Sequence, residues 1–237
     1  MKDILKSIFL LLIYTSAPLF GFSQYKVDCG NIELTIPEFK SDATYRKRFL
    51  VNMHVLKPID QSDANLELRF YYGEITPIKT IVIKCIKDSV YAAKYTALIT
   101  PGKKQLPTEG TNYKSLGYID SINKSAIYKI EKYKPIPEIS WQRFLSLMIL
   151  DNHLFELPDQ KELDKNEYLI PTTNENRVYP YSYIGFELYV NGRFRSFDQW
   201  KVSAYKNTNN LPVITYYKNI TSLLNKLIAY NGKEIIR

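Results

Sequence analysis

Strict alternation of apolar and polar residues constrains this chain more than any other feature. In Asn65–Tyr72 (NLELRFYY), Leu66, Leu68 and Phe70 occupy one parity, and Glu67, Arg69 and Tyr71 the other. A period of two sends successive side chains to opposite faces of a strand, so the segment reads as β. Asn31–Ile36 (NIELTI) alternates likewise, and the apolar run Arg48–Leu56 reads as a strand between them. Ile78–Lys87 and Ser89–Ile99 form two strands with a tight join at Lys87-Asp88-Ser89, and Ser125–Tyr133 forms another. Asn191-Gly192 is a type I′ hairpin signal, because both central residues of that turn take positive φ. It joins a strand within Val178–Val190 to Arg193–Trp200. Glu167–Ile170 and Val213–Tyr217 are further short strands.

Two segments switch to a helical period. In Glu138–Asn152, Trp141, Phe144, Leu145, Met148 and Ile149 recur at helical spacing behind Ser140 as N-cap. Leu147 and Leu150 widen that stripe and point to a well-buried helix. Near the end, Asn219 caps a helix in which Ile220, Leu223, Leu224, Leu227 and Ile228 make one face, stopped by Asn231-Gly232. The expected class is therefore α+β, mainly antiparallel sheet with a buried central helix and a C-terminal docking helix. The expected organisation is a leader over 1–23, a β-rich N-terminal half over 24–100, a linker over 101–112 (GKKQLPTEGTN after Pro101) and an α+β half over 113–237.

The leader has the pattern of a secretory signal peptide. Lys2 and Lys6 give a basic start, Ile8–Tyr14 an apolar stretch too short to span a bilayer, and Gly21 and Ser23 the small residues for cleavage after Ser23. Export places Cys29 and Cys85 in an oxidising compartment, where they are candidates for a bridge; the alternative is two buried free thiols. Alternation puts Cys85 on the face of Ile81 and Ile83, inward in either case. Cys29 follows Lys26-Val27-Asp28, which does not suit a lipid-attachment site. No later window reads as a transmembrane segment.

The net charge is +8, with 32 Lys+Arg against 24 Asp+Glu, and there are 20 Tyr but 9 Gly. Lys, Asn, Ile and Tyr share A/T-rich codons, so coding bias explains the basicity better than a nucleic-acid partner, for which Arg is the more useful cation. Few glycines leave little material for phosphate cradles, and no GxSxG, Walker A, GxGxxG or HExxH motif occurs. His54 and His153, the only histidines, have no metal-ligand spacing, and His153 suits a helix C-terminus. No metal or cofactor is expected. Glu156, Asp159, Glu162 and Asp164 cluster after the central helix, with Glu187 as a further carboxylate. Two carboxylates across a cleft are all that glycoside hydrolysis requires.

Aromatic surface is the stronger lead. Tyr179, Tyr181 and Tyr183 share a parity and form a Tyr ladder if extended, with Trp200 close by on the hairpin. Tyr offers an apolar ring and a hydroxyl, which suits sugars or a protein partner. Arg193 and Arg195 share a face opposite Phe194 and add a site for a carboxylate or small anion; their structural role would be to guard an edge strand.

The runs NLELRFYY, SWQRFLSLMILDNHLFELPDQ and YVNGRFRSF resemble segments of uncharacterised exported proteins of the Bacteroidetes. The resemblance spans about half the chain, rests on strand, helix, turn and hairpin motifs, and implies export without implying any catalytic residue. The sequence thus points to an exported binding or interaction protein of the bacterial envelope, periplasmic or extracellular. A carboxylate-dependent hydrolase acting on glycan is the alternative, and a Lys-based binder of polyanions a third.

Overall fold

The computed structural model describes residues 24–29, 31–43, 48–72, 78–100, 127–165, 184–199, 212–229 and 233–234. The fold is α+β with mainly antiparallel sheet. Strands β1 (Gln24–Cys29) and β2 (Ile32–Pro37) pair as a separate ribbon. A seven-stranded sheet holds β3 (Leu66–Tyr72), β4 (Ile78–Ile86), β5 (Ser89–Thr100), β6 (Ile127–Tyr133), β7 (Ile184–Val190), β8 (Arg193–Gln199) and β9 (Lys233–Glu234). Their order is β8-β7-β3-β4-β5-β6-β9, and every pairing is antiparallel. Because β3 lies between β4 and β7, strands from both halves of the chain build one sheet. The proposed linker 101–112 and the expected strand Glu167–Ile170 lie outside the described residues.

The register lines side chains into rows across the sheet. On the first face, Phe197, Phe186, Phe70 and Ile81 form one row, and Arg195, Leu188, Leu68, Ile83 and Ala92 the next. The apolar part of this face is the main core. Phe186 stacks on Phe197 at 4.7 Å between ring centroids and meets Phe70 edge-on at 5.8 Å. Over it lie Val27, Leu34 and Ile36 of the ribbon, together with side chains from two helices. Helix α2 (Trp141–Ser146) contributes Phe144 and Leu145, and α4 (Pro212–Ala229) contributes Ile214, Tyr217, Ile220, Leu224 and Leu227. Burial of such side chains is worth about 1.5–3 kcal/mol each and supplies the main drive for closing this layer.

Local chemistry sets the helix ends. The Ser140 hydroxyl accepts from the Arg143 N–H at 3.2 Å, as an N-cap should. After Ser146 the helix widens into a π-turn over Leu147–Asp151, where the Asn152 N–H reaches the Leu147 carbonyl at 3.1 Å. Leu150 is 43% exposed, so the expected stripe through Leu150 is corrected: at about 100° per residue it lies opposite Trp141 and Met148, whereas Met148 and Ile149 are buried. His153 then takes φ 49°, ending the turn.

Two expected strands are helical instead. Arg48–Leu56 folds as the short helix α1 (Phe49–Asn52) followed by turns. Its Leu50 packs with Val82, Tyr95 and Ala97 on the second face of the sheet. Val213–Tyr217 belongs to α4, which begins at Pro212; proline suits the first helical position, having no N–H to leave unpaired. Asn219 is therefore not a cap but an interior residue, and its Nδ2 donates to Asn152 Oδ1 at 2.9 Å.

Cys29 and Cys85 form a disulfide with their Cα atoms 5.2 Å apart. It fastens β1 of the ribbon to β4 of the main sheet and closes a loop of 56 residues. Chain entropy places its contribution at about 4 kcal/mol. The hairpin at Asn191-Gly192 is present as expected, with φ 45° and 87°.

Candidate functional site

The second face of the sheet carries the densest cluster of ionisable groups. Glu67, Arg69 and Tyr71 of β3 point there, opposite Tyr189, Glu187 and Gly185 of β7. Ordinarily one face of an antiparallel sheet is wet. Here residues 48–63 lie across it, and Glu67, Arg69 and Glu187 have no exposure at all. Ile59 packs with Tyr189 and Phe194, while Met53, Val55 and Leu56 join the Leu50 cluster.

Burial of charge is tolerated only when it is paired and hydrogen-bonded. Arg69 donates from Nε to Glu67 Oε1 at 2.7 Å and from Nη1 to Glu187 Oε2 at 3.2 Å. The Tyr71 hydroxyl donates to the same Glu187 oxygen at 2.7 Å. Arg48 adds a second cation: its Nε lies 3.4 Å from Glu187 Oε1 and its Nη2 2.7 Å from Asp198 Oδ1. Its guanidinium also covers the Tyr71 ring at 5.1 Å. Lys84 Nζ approaches Glu67 Oε2 at 3.1 Å, and the Ser62 hydroxyl donates to that oxygen. Burial works against the Arg69 charge, but Tyr71, Glu67 and Glu187 outweigh it and hold its pKa above the ordinary value. Sealed in this way, the cluster orders strands and fixes the 48–63 segment, with Glu67 and Glu187 out of contact with solvent and Arg69 Nη2 buried without a hydrogen bond.

Arg193 and Arg195 do not form an open anion site together. Both lie on the first face, at its β8 margin. Arg193 donates to the Tyr25 hydroxyl and, at 3.2 Å, to the Phe39 carbonyl, and it sits over both rings. Arg195 donates to the Phe155 carbonyl at 2.9 Å, lies over Phe197 at 4.4 Å and approaches Glu162 at 3.6 Å. The β8 edge is instead covered by Asp42, whose N–H donates to the Phe194 carbonyl at 2.8 Å and whose Oδ2 accepts from the Ser196 N–H at 2.6 Å. Tyr179, Tyr181, Tyr183 and Trp200 lie outside the described residues.

The acidic cluster is taken up locally. Asp159 is the N-cap of α3 (Gln160–Asp164), and Glu162 completes a capping box with it. Glu156 pairs with His153 Nδ1 at 3.2 Å. His54 is exposed with φ 56°. Among the described residues no group of three or more His, Cys, Asp and Glu is arranged to hold a metal ion, and no helix is long and apolar enough to cross a membrane.

Alternation did not single out a second polar region, on the first face where β3, β4, β5 and β6 meet. Lys79 has the same parity as Ile81, Ile83 and Cys85, and that is the signal that would have found it: a lysine on an inward-facing register. Beside it lie Tyr72 on β3 and Thr96 on β5, and Lys94 is one row further along.

No family model matches the chain, and neither a curated protein nor a solved structure is found to match it.

Proposed function

We propose that this chain is an exported, non-catalytic binding protein of the bacterial envelope, acting in the periplasm or outside the cell. The observation that carries this reading is the Cys29–Cys85 disulfide. Such a bridge persists in an oxidising compartment. It also ties down the strand that opens at Gln24, the residue left first by cleavage after Ser23. The central helix and the C-terminal helix serve as the docked cover of one sheet face, a rigid back for the hairpin of β7 and β8. The contact surface is assigned to Tyr179, Tyr181, Tyr183 and Trp200, which flank that hairpin in sequence, and its partner is a glycan or a protein. Engagement of Glu67, Glu187, Asp159 and Glu162 in internal pairing and capping favours binding over carboxylate hydrolysis.

Fractionation of producing cells tests the export claim. Mature protein beginning at Gln24, with both cysteines resistant to alkylation until reduced, is the expected result. Full-length protein with alkylatable thiols in the cytoplasm overturns it. A glycan array probed with the mature protein and with a Tyr179→Ser, Tyr181→Ser, Tyr183→Ser variant tests the surface; equal signals for the two would remove those tyrosines from it.

A further inference from the structure

The second face of the sheet is made of residues that an antiparallel sheet ordinarily turns to water. One row runs Ser196, Glu187, Arg69 across β8, β7 and β3, and the next Asp198, Gly185, Tyr71. The cover over them is the segment 48–63, whose own attachment is slight. Its backbone hydrogen bonds run from Val51 and Asn52 to Arg48, from Val55 and Leu56 to Leu50, and from Gln61 and Ser62 to Pro58 and Ile59. Each of these closes within the segment, and none of them crosses to a strand. Its apolar anchors are two small groups: Leu50 with Val82, Tyr95 and Ala97, and Ile59 with Tyr189 and Phe194. Among the described residues, the main core on the first face includes none from 48–63. Lifting the segment therefore leaves that core, the strand pairings and the Cys29–Cys85 bridge in place.

One ionic chain holds both ends of the segment. At its start, Arg48 lies 2.7 Å from Asp198 and 3.4 Å from Glu187, and its Nη2 donates to Ser196 Oγ at 3.3 Å. At its far end, the Ser62 hydroxyl donates to Glu67, and Asp63 lies 3.7 Å from Lys84. Arg69 joins the two ends through Glu187 and Glu67. Release of one end therefore loosens the pairs that hold the other, which makes the cover a single unit. Hydration favours opening: the carboxylates and guanidinium groups regain water, including Arg69 Nη2, which has no hydrogen bond when covered. Apolar burial of Leu50 and Ile59 opposes it. A segment with few apolar anchors, over a face that water suits, is a low-stability unit in a more stable frame.

We infer that residues 48–63 are a strap that lifts as one unit from the intact sheet, baring a charged surface at Glu67, Arg69, Tyr71 and Glu187 that the closed fold conceals. The strap is independent of the Tyr179–Trp200 surface and stands whether or not that surface binds.

Amide hydrogen exchange of the purified, oxidised protein, read residue by residue by NMR, provides the test. Val51, Val55, Gln61 and Ser62 report on the strap, and Leu68 and Leu188 on the sheet. The strap amides are expected to exchange at least about tenfold faster than the sheet pair. Two conservative substitutions then separate local from global opening. Ile83→Val on the first face weakens the closed and strap-open protein alike, so it should speed Leu68 and Leu188 about fivefold and leave the strap amides unchanged. Ile59→Val, near one end of the strap, should speed Val51 and Val55 by the same factor as Gln61 and Ser62. Strap amides that share the sheet's rate, or follow it in Ile83→Val, overturn the proposal, because the segment then leaves only on global unfolding. Acceleration confined to Gln61 and Ser62 in Ile59→Val overturns it as well, since the two ends then move separately.

Discussion

The two faces of the main sheet are both buried, yet by opposite chemistries. One is sealed by hydrocarbon: Phe70, Phe186 and Phe197 under Ile220 and Leu224 of α4. The other is sealed over charge: Glu67, Arg69 and Glu187 beneath the 48–63 segment. Apolar packing is non-directional, so removing a methyl group from it produces a proportionate loss. A buried ionic cluster is directional and mutually dependent, so removing one member strands the others. The first face should therefore fail gradually and the second abruptly.

Arg69→Met gives the sharpest contrast. It leaves Glu67 and Glu187 facing each other with only the flanking Lys84 and Arg48 for compensation, and the expected loss is about 3–5 kcal/mol in urea unfolding. Replacing the core of the cluster together, Glu67→Leu, Arg69→Met and Glu187→Leu, should recover part of that loss: Arg48 keeps Asp198 and Lys84 keeps Asp63, while the Tyr71 hydroxyl loses its acceptor. If the triple variant is no better than Arg69→Met alone, the cost lies in packing and the distinction between the faces collapses.

Next in size is the tie between the ribbon and the sheet. Cys29→Ser with Cys85→Ser is expected to lower stability by about 2–4 kcal/mol. Thermal unfolding with and without reductant measures it: the wild type should fall to the level of the variant on reduction, and the variant should not respond. Smaller again is Ile83→Val on the apolar face, expected to cost about 1 kcal/mol. A loss as large as that of Arg69→Met would show that this face is no more forgiving than the other.

These differences mark what sequence could and could not disclose. Alternation assigned Leu66, Leu68 and Phe70 to one face and Glu67, Arg69 and Tyr71 to the other, and the positive φ needed at Asn191 and Gly192 announced the hairpin. Alternation does not say which face is wet, because that depends on the 48–63 segment. That segment itself misled: an apolar run without a period suits a short helix as well as a strand. Val213–Tyr217 misled through its β-branched and aromatic residues, although Pro212 marked a helix start. The ionic cluster had no local signature, since Arg69 and Glu187 are 118 positions apart. The polar region at Lys79 was partly legible, as a charge on an inward parity, but Tyr72 and Lys94 neighbour it only through strand pairing.

The finest probe of the apolar face is a deeply placed hydroxyl. Tyr217 of α4 is fully buried against Phe186, and its O–H donates to the Pro158 carbonyl, which also accepts from Gln199 Nε2 at 2.9 Å. Burial raises its pKa well above the ordinary 10.0; Gln199 and Arg195 partly oppose the shift, and Asp159 and Glu162 reinforce it. Tyr217→Phe should cost about 0.5–1 kcal/mol at neutral pH through the lost hydrogen bond. The larger signal is in the pH dependence. In the unfolded chain this phenol loses its proton near pH 10, whereas the folded protein keeps it. The folded state therefore holds more protons above pH 10, and the stability due to this group declines as pH rises from there toward the folded-state pKa. One proton corresponds to about 1.4 kcal/mol per pH unit, so the alkaline limb of a stability profile should be shallower in Tyr217→Phe by up to that amount. Equal alkaline slopes would mean that the hydroxyl is reached by water on the folded protein, and that the layer under α4 is less sealed than the charged face beneath residues 48–63.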